Sequence, residues 1–385
     1  MKKKIVSVIL VAAMAVGCLA GCGSKEAKNE DAFYIGGIGP VTGDAAIYGT
    51  AVQNGAQIAV DEINEAGGIN GHQIEYNFQD DQGDPEKAAN AYNTLKDWGM
   101  QVLMGTVTTG PCVSVADLTA ADNMFQITPS ASSTDVIKND NVFQVCFTDP
   151  AQGTKSAQYI GEHSLATKVA VLYDSSADYN SGINDAFVAA AEENGLEIVA
   201  DEAYTADSNT DFSVQLKKIK DSGAELLFLP NYYADNALIL QQAHDAGMDD
   251  VKKFGVDGMD GILGVENFDT SLAEGVMLLT PFSATAEDEK SQAFVKAYEA
   301  ANKDEVPNQF AADTYDVLYA MKAAADAAEI TPDMENADIS AAMSEAMLSV
   351  ELDGLTGKAK WTEDGECDKE PKAFEIQDGA YVEMD

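Results

Sequence analysis

Between residues 33 and 279 the chain alternates short β-rich runs with amphipathic helical stretches, and this alternation restricts its fold more than any other feature. The strand candidates are residues 33–38, 74–78, 102–104, 124–127, 169–173, 198–204, 226–229 and 276–279. Helix starts stand between them. Asp84 followed by Pro85 reads as a cap and a first helical residue, and Asp149 with Pro150 repeats the signal. Asp211 opens a further helix that stops at Gly223. Strands separated by helices pair in parallel, with helices covering both faces of the sheet. The fold class expected is α/β.

The alternation falls into two series, 33–148 and 149–279, followed by a helical stretch over 287–348. Two hairpins close the chain, turning at Asp364-Gly365 and at Asp378-Gly379. About 355 residues exceed what one core usually holds. A helical return after a completed second series carries the chain back to the first. The expected organisation is two doubly wound parallel-sheet lobes joined by a multi-crossing hinge. Lobe I takes 32–148 plus about 281–354, and lobe II takes 149–280 plus about 355–385. A ligand belongs between them, at the carboxyl ends of the strands.

Residues 1–21 read as an export signal: Lys2, Lys3 and Lys4 precede an apolar core over 5–16 that is too short to span a membrane. Leu19-Ala20-Gly21-Cys22 resembles the lipobox of bacterial lipoproteins. That resemblance implies cleavage before Cys22, a lipid on its sulfur and anchoring at the outer face of the cell membrane. Residues 22–31 are polar and form the tether.

The formal charge is −42, or −45 once the three lysines of the leader are gone. So acidic a chain is repelled by phosphate backbones, which excludes nucleic acid as a partner. It contains no arginine, and all 23 basic residues are lysines. An anionic group must therefore be held by lysine, by hydroxyls or by the N–H groups of a helix start. Past Cys22 only Cys112, Cys146 and Cys367 remain, without a C-x-x-C pair. His72, His163 and His244 lie far apart and read as surface or strand-end residues, so no metal site and no cofactor is expected.

An enzyme is not expected either. G-x-S-x-G spacing is absent, and carboxylates are too abundant for any pair to be diagnostic. The glycine loop from Gly37 to Gly43 has G-x-G-x-x-x-G spacing rather than the dinucleotide pattern, and Pro40 removes an N–H. It reads as the lip of the first lobe.

The segments "GPVTGDAAIYG", "AVDEINEAGGINGHQIEYNFQDDQGDP", "ITPSASSTD", "DSSADYNSG" and "WTEDGE" occur in this order. In order and spacing the chain resembles the type I periplasmic-type substrate-binding proteins, closest to the leucine/isoleucine/valine-binding proteins of branched-chain amino acid ABC transporters. The resemblance implies a Venus-flytrap fold, a zwitterionic amino acid as ligand, a membrane permease as partner and a monomer. It also implies the pocket. Thr109 supplies a hydroxyl to the ligand α-carboxylate, followed by Gly110 and by a helix beginning at Pro111. Ser130 binds through its backbone and Ser132 through its hydroxyl. Asp257 pairs with the α-ammonium, and Tyr48, Tyr179, Tyr232 and Phe310 form aromatic walls.

Read from the residues alone, these positions keep other readings. Thr109 also reads as a helix cap, Ser130 and Ser132 as turn residues, Asp257 as a solvated loop charge and Phe310 as core. Tyr232 and Tyr233 are adjacent, so in extended chain only one faces the cleft. Two departures from the family stand out. Gly83 and Thr108 occupy the positions of a disulfide found in some members, and aspartate at 257 replaces the glutamate of the branched-chain binders. The shorter acid leaves open another amino acid, a short amide or urea, or an aromatic acid, and a sensing role beside transport.

Overall fold

The structure, a computed structural model, describes residues 28–303 and 305–384. The export signal and Cys22 lie outside the described residues. The first series forms a five-stranded parallel sheet of β1 (Ala32–Gly39), β2 (Gln73–Asp80), β3 (Val102–Gly105), β4 (Phe125–Thr128) and β5 (Val142–Gln144), in the order β2-β1-β3-β4-β5. Helices α1 (Ala46–Glu65), α2 (Pro85–Trp98) and α3 (Thr109–Asp122) make the crossovers. Every residue of β1 is buried, as a central strand covered on both faces requires, whereas edge strand β2 is half-exposed.

The second series repeats the winding. Helix α4 (Asp149–Glu162) leads into β6 (Lys168–Asp174), α5 (Asp178–Ala191), β7 (Glu197–Tyr204), α6 (Ser213–Ser222), β8 (Leu226–Leu229), α7 (Tyr233–Asp245), β9 (Lys252–Gly255) and β10 (Met277–Thr280). Its parallel part runs β7-β6-β8-β9-β10, the same order as the first sheet counted from its own first strand. In each sheet the order reverses beside that strand, which opens a crevice at the carboxyl ends.

Helices α8 (Glu289–Ala301), α9 (Gln309–Ala327) and α10 (Asn336–Met347) follow. Helix α9 packs along α1, and α10 packs on α9 and β4. Residues 309–318 are buried without a break, so α9 is enclosed on all sides through its first half. Strands β11 (Glu351–Gly354), β12 (Gly357–Trp361) and β13 (Cys367–Asp368) form a small antiparallel sheet, anchored where Trp361 Nε1 donates to the Gln144 carbonyl at 2.8 Å. Strands β14 (Lys372–Gln377) and β15 (Ala380–Glu383) then add antiparallel to β10. Both expected hairpins are present. The second turns through two residues at positive φ, Asp378 at 51° and Gly379 at 73°, the geometry a two-residue hairpin needs.

Three helix starts differ from expectation; one is α6, which begins at Ser213 with Phe212, not Asp211, in the cap position. Helix α4 is capped by Thr148, whose hydroxyl accepts from Ala151 N at 3.4 Å, so Asp149 is the first helical residue and Pro150 the second. Helix α3 begins at Thr109, not at Pro111. Strands β5 and β9 were not expected, because three or four residues carrying Gln or Lys show no alternation of their own. No described helix is long and apolar enough to cross a membrane.

Candidate functional site

The expected site residues sit on the segments that leave the carboxyl ends of β3, β4, β6, β8 and β9, with α1 and α9 beside them. From the first sheet, the chain leaves β3 and enters α3 at once, so Thr109 stands in the first helical turn. It is 2% exposed, and its Oγ1 is buried without a hydrogen-bond partner. Gly110 is exposed on the same turn. After β4 the turn is held locally: Thr128 Oγ1 accepts from Ala131 N at 3.0 Å, and the Ser130 hydroxyl donates to Val107 O at 2.7 Å. Ser132 is fully buried and its hydroxyl has no partner. A buried hydroxyl left unpaired is costly, and two of them at one crevice suit a polar group from outside the chain.

On the second side Asp257 stands just after β9 and is 3% exposed. Its Oδ1 accepts from the Tyr179 phenol at 2.6 Å, and that phenol oxygen accepts in turn from Gly258 N at 3.0 Å. Burial pushes the Asp257 carboxyl up to about 6; the hydrogen bond from Tyr179 is the strongest force holding it down. The Tyr179 and Tyr232 rings stack at 4.7 Å. Tyr48, on α1, meets Tyr232 edge-on at 5.5 Å and Phe310 at 4.2 Å. Its hydroxyl donates to Gly258 O and accepts from Tyr233 N at 3.1 Å, bonds that join residues about 200 positions apart. Tyr232 is the extended cap residue of α7 and Tyr233 its first helical residue, and both rings reach Tyr48, Tyr233 at 4.8 Å.

Two polar residues escaped the sequence reading. Asp149 is 2% exposed and both carboxyl oxygens lack partners, while its N–H donates to Ser132 O at 2.9 Å. One turn on, Gln152 accepts from Asp257 N at 3.3 Å and leaves its amide nitrogen unpaired. The Asp-Pro pair hid them, because it reads so readily as a cap. Burial drives the Asp149 carboxyl well above its ordinary range. The glycine loop contributes no free phosphate cradle: Val41 N and the Thr42 hydroxyl donate to Asp80 at 3.0 and 2.6 Å. Cys112, Cys146 and Cys367 are free and buried. Among the described residues no three potential ligands gather as a metal site.

The periplasmic binding protein family profile matches residues 32–380. The chain belongs to that family. Over 358 residues it is 31% identical to the Leu/Ile/Val-binding protein homolog 3 of Brucella melitensis, covering 91% of this chain and 93% of that one. The leucine-, isoleucine-, valine-, threonine- and alanine-binding protein of Pseudomonas aeruginosa is 29% identical over 77% of each chain. The crystal structure of a branched-chain amino acid transporter substrate-binding protein from Streptococcus pneumoniae, in complex with isoleucine, superposes with a TM-score of 0.82 at 30% identity, over 92% of this chain and all of that one. A solute-binding protein of R. palustris in complex with benzoate shares the fold, with a TM-score of 0.79 at 20% identity over 92% of this chain and 95% of that one. Members of this periplasmic family are binding proteins, and the two unpaired hydroxyls and the buried acid stand on segments leaving the carboxyl ends of the parallel strands, where open α/β sheets bind ligands.

Proposed function

We propose that this family member is the extracytoplasmic solute receptor of an ABC importer, closing two lobes over leucine, isoleucine or valine and presenting the closed form to a membrane permease. One observation carries the ligand class. Unpaired buried donors, Thr109 Oγ1 and Ser132 Oγ, occupy one side of the crevice, and a single hydrogen-bonded acid, Asp257, occupies the other. In a chain without arginine, hydroxyls are one of the means left for gripping a carboxylate, beside lysine and helix-start N–H groups. Tyr48, Tyr179, Tyr232 and Phe310 wall the apolar part of the ligand. Lobe I is taken as 32–148 plus about 281–354 and lobe II as 149–280 plus about 355–385; β14 and β15, which extend the second sheet, support the last return to lobe II, whereas β12 and β13 form a separate sheet tied to Gln144 of the first. Ligand contacts made by both lobes favour the closed state. Cys22 carries the lipid, residues 22–31 the tether, and the protein works as a monomer.

Each charge-assisted hydrogen bond to the ligand contributes about 1.5–3 kcal/mol, and burying a leucine-sized side chain adds about 1.5–3 kcal/mol. A few such terms, less the cost of association, reach the ~8 kcal/mol of a micromolar complex. The test is thermal shift and calorimetry on residues 24–385 against all amino acids, short amides, benzoate and simple sugars. Stabilisation by leucine, isoleucine or valine, lost in Asp257→Ala and Thr109→Val, is the expected result. Stabilisation by benzoate, an amide or a sugar without any amino acid overturns the ligand and leaves the fold.

A further inference from the structure

Two buried acids, Asp257 and Asp149, stand among the site residues, with the buried Asp260 three positions beyond Asp257. Lys369 is the one buried lysine among the described residues, and its charge is taken up by Asp313 at 3.3 Å. Of the two acids, Asp257 has partners for its charge: the Tyr179 phenol at 2.6 Å, with Gln152 and Gln309 bonded to its backbone at 3.3 Å each. Asp149 has none on either oxygen. It lies against Gly182 of α5, where an added Cβ would stand 3.4 Å from Asp149 Oδ2, and it is tied to Ser132 through its own N–H.

The charged and titratable groups facing Asp149 oppose a second anion. They are Asp257 after β9, Asp178 at the head of α5, the Tyr232 phenol before α7 and the Cys146 thiol before α4, all acids. Burial, joined by the charges of Asp257 and Asp178, outweighs what favours the ionised form, which is the nearby Ser132 hydroxyl and the partial dipoles at the start of α4. Thr109 Oγ1, Ser132 Oγ and Gln152 Nε2, on the segments that leave β3 and β4 and on α4 itself, are buried donors left unpaired. A ligand carboxylate drawn to them would meet an ionised Asp149 as a like charge, and a neutral Asp149 as one more donor.

We propose that Asp149 is the proton-binding residue of the closed site: on closure it takes one proton from solvent and, as a neutral acid, donates a hydrogen bond to the carboxylate end of the ligand beside Ser132. This rests on the amino acid reading above and adds a role for a residue outside the expected pocket. No bond other than the O–H is made or broken, and the proton comes from the buffer. The neutral acid takes the place of the guanidinium that this chain lacks.

Calorimetric titration with L-leucine, L-isoleucine and L-valine at pH 7.5, in buffers of differing ionisation enthalpy, reads the protons bound per ligand. Uptake close to one proton is expected, with affinity falling toward tenfold per pH unit above neutrality. Asp149→Asn should abolish the uptake and hold affinity within about threefold, because its amide still donates, whereas Asp149→Ala should weaken binding by about tenfold or more. Binding of an amino acid by the unaltered protein without proton uptake overturns the proposal, and that measurement needs no variant to fold. Uptake that persists unchanged in Asp149→Asn overturns it too. A protein that binds none of the three overturns the reading beneath it, a result distinct from binding without a proton.

Discussion

The Tyr179 phenol donates to Asp257 Oδ1 at 2.6 Å inside a crevice where both residues are less than 5% exposed. The bond favours the ionised acid, and burial opposes it, leaving the carboxyl at about 6. An ammonium ligand needs that charge. Affinity supplied by Asp257 is therefore present above its pKa and lost as pH falls through it. Tyr179→Phe removes the strongest opposing force, so the acid limb of the affinity profile should move to higher pH. Affinity at pH 7 should drop about tenfold or more, matching the ~1.5–3 kcal/mol of a charge-assisted hydrogen bond. Calorimetry across pH 5 to 8 measures both, and an unmoved acid limb would remove Asp257 from the ligand's ammonium.

Gly258 supports the same pair by having no side chain. A Cβ there would stand 2.5 Å from the Tyr179 hydroxyl and 3.0 Å from Tyr232 Cδ1. Gly258→Ala should push the Tyr179 ring off Asp257 and disturb its stack on Tyr232. The expected outcome is a loss of affinity of about tenfold or more with a stability change under ~1.5 kcal/mol, because the neighbours are side chains at the crevice rather than packed backbone. Calorimetry paired with urea unfolding separates the two effects.

The sheets were legible because β1, β3, β8 and the middle of β6 are buried on both faces and so read as mostly apolar runs between helices. Strand β5 was not, since Val142, Phe143 and Gln144 are too few to show a period. At the site, Thr109, Ser132 and Asp257 came from the family resemblance, and composition explained why hydroxyls must serve where arginine is missing. Asp149 was hidden by its neighbour. The true cap, Thr148, precedes it, and nothing local distinguishes a carboxyl that caps a helix from one that turns inward unpaired. Tyr233 was left aside on the condition of extended chain, and the start of α7 at Tyr233 is the local feature that the sequence did not show.

Stability should fall as pH rises across the mildly acidic range. Burial lifts Asp81, Asp257 and Asp260 to about 6 and Asp313 to about 7. In the unfolded chain these groups ionise near 4, so from about pH 4 to 7 the folded protein holds more protons than the unfolded one. Stability that depends on those protons is full below pH 4 and is lost toward pH 7. Carboxylates held low by hydrogen bonds, Asp80 and Asp122 among them, act oppositely and lose their contribution only in stronger acid. Repulsion among the excess acids adds to the loss at neutral pH. Thermal melts of the ligand-free protein should peak near pH 4.5–5, about the crossing of these two windows. A melting temperature that rises steadily from pH 5 to 7.5 would contradict this balance.

Lys369 secures the chain's last return. Its ammonium is 1% exposed and donates to Asp313 at 3.3 Å and to Thr356 Oγ1 at 2.5 Å. Asp316 in turn accepts from Leu355 N at 2.8 Å and from Thr356 N at 2.9 Å, so α9 and the turn between β11 and β12 share one polar network. Burial alone would pull the lysine down, but Asp313, Cys367 and Asp316 outweigh it and hold the ammonium above its ordinary value. Lys369→Met removes the cation and leaves Asp313 enclosed without a counter-charge. Breaking such a pair costs about 3–5 kcal/mol, whereas replacing both partners with apolar groups is often close to neutral. Lys369→Met should therefore lower unfolding stability in urea by about that amount, and adding Asp313→Leu should recover most of it. Equal losses in the single and double variants would show that Lys369 acts by packing its stem rather than by its charge.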